Sequence, residues 1–217
     1  SLPSGTVGLL QRARDDQANL VGKLYEDGYF GAVVRISING RNIETISVTD
    51  AVAGNKARAA VSISVAPGPL FSFGHISARG IPAHVAAEAL AAAGLSTGAK
   101  ASSTVIRKAA QELVIASQRQ GHPYAQISGQ DIIANHATNT VDVTLILSSG
   151  PRAVIGATTV TGADRLDPDF IVRQADIPAG VPYSPDVLEQ ARALRRLLAN
   201  ARGADPEDLI AMSVLDI

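Results

Sequence analysis

The sequence contains no cysteine and no tryptophan, one methionine, and only four tyrosines and four phenylalanines in 217 residues. Without cysteine there is no disulfide, no zinc–thiolate site and no thiol nucleophile, and the chain suits a reducing or an oxidising compartment equally well. Charge is also sparse: 18% of residues are charged and the net charge is −1, so there is no electrostatic footprint for nucleic acid. No apolar run approaches the roughly 18 residues that a membrane-spanning helix requires. Nothing resembling a leader stands at Ser1, so an exported form is expected to have already lost one. Phosphate-loop, nucleophile-elbow and His-Glu-x-x-His patterns are missing as well.

What is present is apolar and repetitive. Nearly half the residues are hydrophobic, enough for folded domains rather than a disordered chain. The stretch Gly68-Pro69-Leu70-Phe71-Ser72-Phe73-Gly74-His75-Ile76-Ser77-Ala78-Arg79-Gly80 returns about 82 residues later, from Gly150-Pro151 to Gly162. The match continues without a gap, Gly98 falling on Gly180, Val105 on Val187, Ala109 on Ala191 and Gly121 on Gly203. A partial third copy lies upstream, where Gly28-Tyr29-Phe30-Gly31-Ala32 mirrors Gly121-His122-Pro123-Tyr124-Ala125. A fixed period marks a modular array. We expect three modules, at 1–68, 69–149 and 150–217, with the central one complete, the first lacking its opening strand and the third incomplete. Gly68-Pro69 and Gly150-Pro151 make the seams, which proline should keep short and stiff.

Residues 7–27 carry Leu9, Ala13, Leu20 and Leu24 at helical spacing, with Gly28 placed to cap the C-terminus. Ala32, Val34, Ile36 and Ile38 then alternate with polar neighbours as a strand, a loop around Ala53–Lys56 turns the chain, and Ala59, Val61, Ile63 and Val65 alternate on the way back. In the central copy the strand Leu70–Ala78 needs Phe71 and Phe73 inward and then Ile76 and Ala78, which predicts a β-bulge at Gly74, with Gly156 equivalent. Pro82 opens and Gly94 closes a short helix; Ser102 or Ser103 caps a longer one with Val105, Ala109 and Leu113 inward, ending at Gly121. Strands at Tyr124–Ile133 and Val141–Leu147 follow. The third copy repeats the strand at Pro151–Thr161 and opens helices at Asp167-Pro168 and Ser184-Pro185, the latter with Val187, Ala191, Leu194 and Leu198 on one stripe. It then passes from Gly203 to Leu209–Ile217, which reads as the last strand with the second omitted. The unit is β-α-α-β-β, an α+β fold with two helices on a three-stranded sheet.

Chemistry-bearing residues do not converge. His75, His84, His122 and His136 fall on four different elements; His84 and Glu88 share a helix face without a third ligand. Asp164, Asp167 and Asp169 are read as turn and cap residues rather than a calcium loop, since Arg165 and Pro168 interrupt them. No catalytic residue, metal ligand or cofactor is assigned. The Tyr29-Phe30 and Pro123-Tyr124 pairs are read as core plugs at the helix–strand junction.

The element order, the period, the first strand Phe71-x-Phe73-Gly74-x-Ile76-x-x-x-Gly80 and the Gly-Tyr-Phe and Gly-His-Pro-Tyr turns together resemble POTRA (polypeptide-transport-associated) domains. These precede the barrel in proteins that assemble or translocate outer-membrane proteins; within them the chain looks most like the outer-membrane component of the translocation and assembly module. The resemblance implies a non-enzymatic periplasmic array tethered to the outer membrane through a C-terminal barrel that lies outside this sequence. Its partners would be that barrel, unfolded outer-membrane or autotransporter clients, and an inner-membrane-anchored envelope partner such as TamB, with no nucleic acid. It also implies strand order 1-3-2, which leaves the second strand on the sheet edge. There Tyr124, Gln126, Ser128, Gly129 and Gln130 form the candidate client-binding edge, since an unpaired ladder can be joined by an extended chain. An edge merely tolerated is the competing reading. A small-ligand or peptidoglycan-binding α+β module is the alternative function, and it requires a polar pocket.

Overall fold

In the computed structural model, residues 5–47, 59–160, 179–190, 192–193 and 210–216 are described, with backbone alone for 5–6, 158–160 and 210–216. The loop at 53–56, the Asp164–Asp169 cluster, the Asp167-Pro168 helix start, Ala191, Leu194, Leu198 and the passage after Gly203 lie outside them. The elements run α1 (Gly5–Glu26), β1 (Val33–Ile38), β2 (Arg41–Asn42), β3 (Val61–Ala66), β4 (Ser72–Arg79), α2 (Ala83–Ala93), α3 (Ser103–Arg119), β5 (Gln126–Asn135), β6 (Thr140–Ser148), β7 (Ala153–Val160) and β8 (Ile210–Asp216). They form sheets β2-β1-β3, β4-β6-β5 and β7-β8, so among the described residues no sheet crosses either proline seam. By packing, the chain divides into Ser1–Ile76 with Leu95–Arg107 and Ile132–Val143, and Ser77–Gly94 with Lys108–Asp131 and Thr144–Ile217.

In the first unit, α1 ends where Gly28 takes φ +86° and the Tyr29 amide bonds back to the Leu24 carbonyl at 2.8 Å. Leu10 and Ala13 are the buried face of α1, while Leu9, Leu20, Val21 and Leu24 pack against it half-buried. They close over Val34, Ile36 and Ile38 of β1, which alternate inward as expected. Asn39 and Gly40, at φ +52° and +76°, then make a two-residue turn of the Asn-Gly hairpin kind, and Ile38 pairs with Arg41. Reading only the alternation misses this hairpin; the Asn-Gly dipeptide was its signal. It delivers Ile43 and Ile46 to the core.

The central sheet has the expected order, first–third–second. Ser72 donates its amide to the Asn139 carbonyl, His75 donates its amide to Asp142 Oδ1, and Ser77 Oγ meets Thr144 Oγ1 at 2.9 Å; every pair is 67 residues apart. Partners that advance together mean that β4 and β6 run parallel. The separation is the same before and after Gly74, so no bulge sits there. Gly74 is needed for space: a Cβ at this position would collide with Asp142 Oδ1. In the third copy the register does shift between Ile155 and Thr158, across Gly156. In the central copy Phe71, Phe73, Ile106, Val141 and Val143 are buried in the first unit, and Ala109, Leu113, Leu145 and Leu147 in the second. Ile106 takes the inward place expected of Val105, the stripe running Ile106, Ala109, Leu113, Ser117. α2 opens after Pro82 and is closed by Gly94 in the left-handed conformation, with Ala86, Ala89, Leu90 and Ala93 buried.

The repeat extends to individual hydrogen bonds. Phe71 donates to the Gly28 carbonyl at 2.9 Å and accepts from Ala101; Ala153 donates to the Gly121 carbonyl at 2.8 Å and accepts from Tyr183. Likewise Phe73 donates to Ala99 and accepts from Gly98, as Ile155 donates to Val181 and accepts from Gly180. In the third copy Ala153, Ile155 and Tyr183 are buried, with Val181, Val187 and Leu188 against them, and Ser184 Oγ caps the helix starting at residue 185 by accepting the Asp186 amide at 3.2 Å.

β8 corrects the expectation of a last strand. It lies antiparallel to β7, with Ala153 opposite Asp216 and Val160 opposite Ile210, whereas the last strand of the central copy is parallel to its first. In the central copy the second strand, β5, is the one that joins β6 through a short hairpin and so runs against β4, and β8 therefore has the sense of a second strand. The ungapped period agrees, placing residues 210–216 on 128–134 of β5.

Candidate functional site

β5 is an outer strand of its sheet. Along it Gln126, Ser128 and Gln130 are exposed, and Ile127 and Gly129 are half-buried on the opposite face. The alternation comes from the pleat: one face lies over the protein and the other meets water. Ser128 Oγ donates to the Ile146 carbonyl at 3.2 Å, and Gly129 lies over Ile146, whose side chain a Cβ there would touch at 3.4 Å. Of the five residues singled out from the sequence, four therefore share the strand.

Tyr124 does not. It precedes β5, is 58% exposed, and lies against Gly150, where a Cβ would come within 3.3 Å of the Tyr124 Cβ. The core-plug reading fails here because the turn after α3 turns the ring outward: Ala125 donates to the His122 carbonyl, and Ala125 rather than Tyr124 is buried. In the first copy the reading fares better, as half-buried Phe30 stacks on Tyr25 at 5.0 Å between centroids and tilts onto Phe71 at 6.1 Å.

Two ion pairs stand at matching places in successive copies with their signs exchanged. Arg107, at the start of α3, binds Glu26, at the end of α1, at 3.1 Å; Arg119, at the end of α3, grips Asp186, at the start of the next helix, through Nε at 2.9 Å and Nη2 at 3.2 Å. The hydrogen bond from Lys23, then that from Arg107, holds the Glu26 carboxyl below the ordinary range, and the hydrogen bond from Arg119 does the same to Asp186. Beside the second pair, Arg119, Gln120, His122, Arg152 and Pro182 line a cleft of about 460 Å³. No sequence pattern marked it, because its residues come from a helix end, a turn and two separate loops. His122 Nδ1 meets the Gly150 carbonyl at 3.0 Å there.

The other histidines stay apart: His75 and His84 are exposed on β4 and α2, and His136 meets Phe71 edge-on at 5.4 Å. Among the described residues no three His, Asp or Glu side chains converge as a metal site, and no helix is long and apolar enough to cross a membrane.

No sequence family and no curated protein matches the chain. Among solved structures it is similar to the crystal structure of BamA POTRA domains 3–5 from Haemophilus influenzae, with a TM-score of 0.52 and 14% identity over 93% of this chain and 78% of that one. A structure of BamA from Haemophilus ducreyi lacking POTRA domains 1–3 matches at a TM-score of 0.45 and 12% identity, over 70% of this chain and 26% of the other. At such identity the likeness is one of fold: helices with three-stranded sheets, in the α+β arrangement of POTRA domains.

Proposed function

We propose that this chain is the periplasmic scaffold of an outer-membrane assembly or translocation factor of the TamA kind, a POTRA array with modules at 1–68, 69–149 and 150–217. It docks unfolded outer-membrane or autotransporter clients and passes them to a C-terminal barrel of the same protein, with an inner-membrane-anchored partner such as TamB on the other side. The work is binding and release, not catalysis. The observation that carries this reading is the position of β5 on the sheet edge with Gln126, Ser128 and Gln130 exposed. An edge offers alternate backbone N–H and C=O groups to any extended chain, at about 0.5–1.5 kcal/mol net per hydrogen bond, so four or five bonds hold a client weakly and without regard to its sequence.

A photo-crosslinking residue placed at Gln126 or Gln130 tests this. Both are exposed, so the fold should tolerate it. Denatured outer-membrane protein diluted onto the array should crosslink there and not at position 84 on α2, whose side chain is also exposed. Equal yields at all three positions would mean that clients do not select the edge. A second reading, a module that binds a small anionic ligand or a peptidoglycan fragment, draws on the cleft at Arg119, His122 and Arg152. A rise in melting temperature with such a ligand, abolished in Arg152→Ala, would favour it.

A further inference from the structure

The cleft at the end of α3 lies wholly within the second unit, and the ionisable side chains on its lining, Arg119, His122 and Arg152, are all basic. Arg152 stands over the helix cap, its Nε 3.7 Å from where a Cβ of Gly121 would lie and its Nη2 3.4 Å from the Gln120 carbonyl. Among the described residues no carboxylate pairs with it. Arg119 gives Nε and Nη2 to Asp186 and keeps Nη1. His122 is tied through Nδ1 to the Gly150 carbonyl at 3.0 Å. A carbonyl only accepts, so Nδ1 carries a proton and Nε2 is the nitrogen left for a ligand.

The repeat supplies the comparison. Aligning Gly121 with Gly28 puts Arg119 on Glu26, Gln120 on Asp27 and His122 on Tyr29, while the period puts Arg152 on Leu70 and Pro182 on Lys100. The two places also match in space: Lys100 Cε would lie 3.1 Å from a Cβ at Gly28, and Pro182 Cβ 3.5 Å from a Cβ at Gly121. A lysine stem crosses the first glycine, whereas a compact proline ring stands at the second. The same local frame therefore carries two carboxylates and an ammonium in one copy, and two guanidiniums and an imidazole in the next. Since the frame forms with either set, packing does not demand the basic one. Composition does not supply it either, because charge is sparse in this chain and its net value is −1.

We propose that this cleft binds a phosphate monoester carried on a polar body of about the size of a sugar, which names the ligand of the second reading above and rests on it. About 460 Å³ holds far more than a bare phosphate, and a lining of arginine, glutamine, histidine and proline offers little to an apolar molecule. The anion follows from the donors. The Arg152 fork, Arg119 Nη1 and His122 Nε2 come from separate segments and suit a group with three terminal oxygens. A monoester also shares one proton with Nε2 in either of its ionised forms, because its second pKa is about 6: the dianion accepts the proton from an imidazolium, and the monoanion gives it to a neutral ring. A carboxylate, or the phosphodiester of an ordinary phospholipid headgroup, has two such oxygens and one charge, which a single guanidinium fork takes up.

The probes are glucose-6-phosphate, glucuronate, glycerophosphoethanolamine and glucose, each titrated into the 217-residue chain while the His122 ring and arginine Nε signals are followed by NMR. Glucose-6-phosphate should bind saturably and shift His122 and Arg152, with glucuronate and the phosphodiester about tenfold weaker or worse and glucose without effect. Arg152→Ala should weaken glucose-6-phosphate by about tenfold or more, and Arg152→Lys, which keeps the charge and loses the fork, by nearly as much. Arg152 is exposed, so both variants should keep the parent's amide spectrum elsewhere. Glucuronate or the phosphodiester binding as tightly as glucose-6-phosphate, with the same loss in Arg152→Ala, would overturn the monoester and leave the anionic-ligand reading standing. If no probe binds, or if Arg152→Ala binds glucose-6-phosphate as the parent does, both fall.

Discussion

The Gly28 carbonyl accepts the Phe71 amide at 2.9 Å, and the next copy makes the same bond from Ala153 to Gly121 at 2.8 Å. Each glycine closes a helix in the left-handed conformation, at φ +86° and +93°, and so turns its carbonyl toward the first strand of the following copy. A helix cap and a connection between copies are thus one device. This accounts for the recurrence of glycine there more directly than flexibility does.

The two glycines should differ in their tolerance of a side chain. Gly121→Ala meets only the unfavourable φ, since the nearest atom would be 3.5 Å from its Cβ, and is expected to cost about 1–2 kcal/mol. Gly28→Ala adds a 2.8 Å approach to the Ala101 carbonyl oxygen and should cost clearly more. Urea midpoints of the two variants check the order; equal losses would mean that the backbone at Gly28 shifts freely.

Equivalent positions of the repeat should also separate by burial. Leu145→Ala empties a fully buried site and should cost about 2–5 kcal/mol, whereas Ile63→Ala, half exposed at the matching place, should cost about 1 kcal/mol or less. Comparable losses from both would show that β3 is covered in solution.

The exchanged ion pairs give a pH dependence of definite sign. The carboxyls of Glu26 and Asp186 are held below their ordinary values by hydrogen bonds to Lys23 and Arg107 and to Arg119. A carboxyl lowered in the folded state stabilises fully above its unfolded pKa and loses that contribution as pH falls through the folded value. Both pairs are therefore intact at neutral pH and fail only in acid, below the usual range of about 4. Carboxylate NMR titrations should place both midpoints below the ordinary range of a free carboxyl. Arg107→Ala should raise that of Glu26 alone, and because the groups are exposed the effect on melting temperature at pH 7 should be small.

Much of this architecture was legible because the signals are local. Gly28, Gly94 and Gly121 mark helix ends, and Pro82 a helix start. What was illegible depends on partners distant in sequence. Alternation at Val61, Ile63 and Val65 reads as a buried strand, yet burial depends on what lies beside it. Gly74 looked like a register device, whereas its role is to make room for Asp142, 68 residues on. Tyr124 has the composition of a core plug and is turned outward by a tight turn. The direction of β8 is set by its pairing with β7, and its hydrophobicity carried no such information. The edge position of β5 came from family resemblance, since neither composition nor spacing states strand order.

If β5 binds clients by adding a strand, the bonding must be through alternate amides. An extended peptide beside an edge turns every second N–H toward the ladder and the others toward water. Two isomers of a client-derived peptide, N-methylated at odd or at even positions, therefore have the same composition, the same hydrophobicity and the same local backbone restriction. Only one removes donors from the interface. Losing two such bonds, at about 0.5–1.5 kcal/mol each, should weaken that isomer by about 5- to 150-fold, while the other stays near the parent. Amide exchange should slow within Gln126–Asn135 for the parent and for the tolerated isomer only. If both isomers bind alike, or if protection appears elsewhere, then clients are held by side chains at another surface and β5 is an ordinary sheet edge.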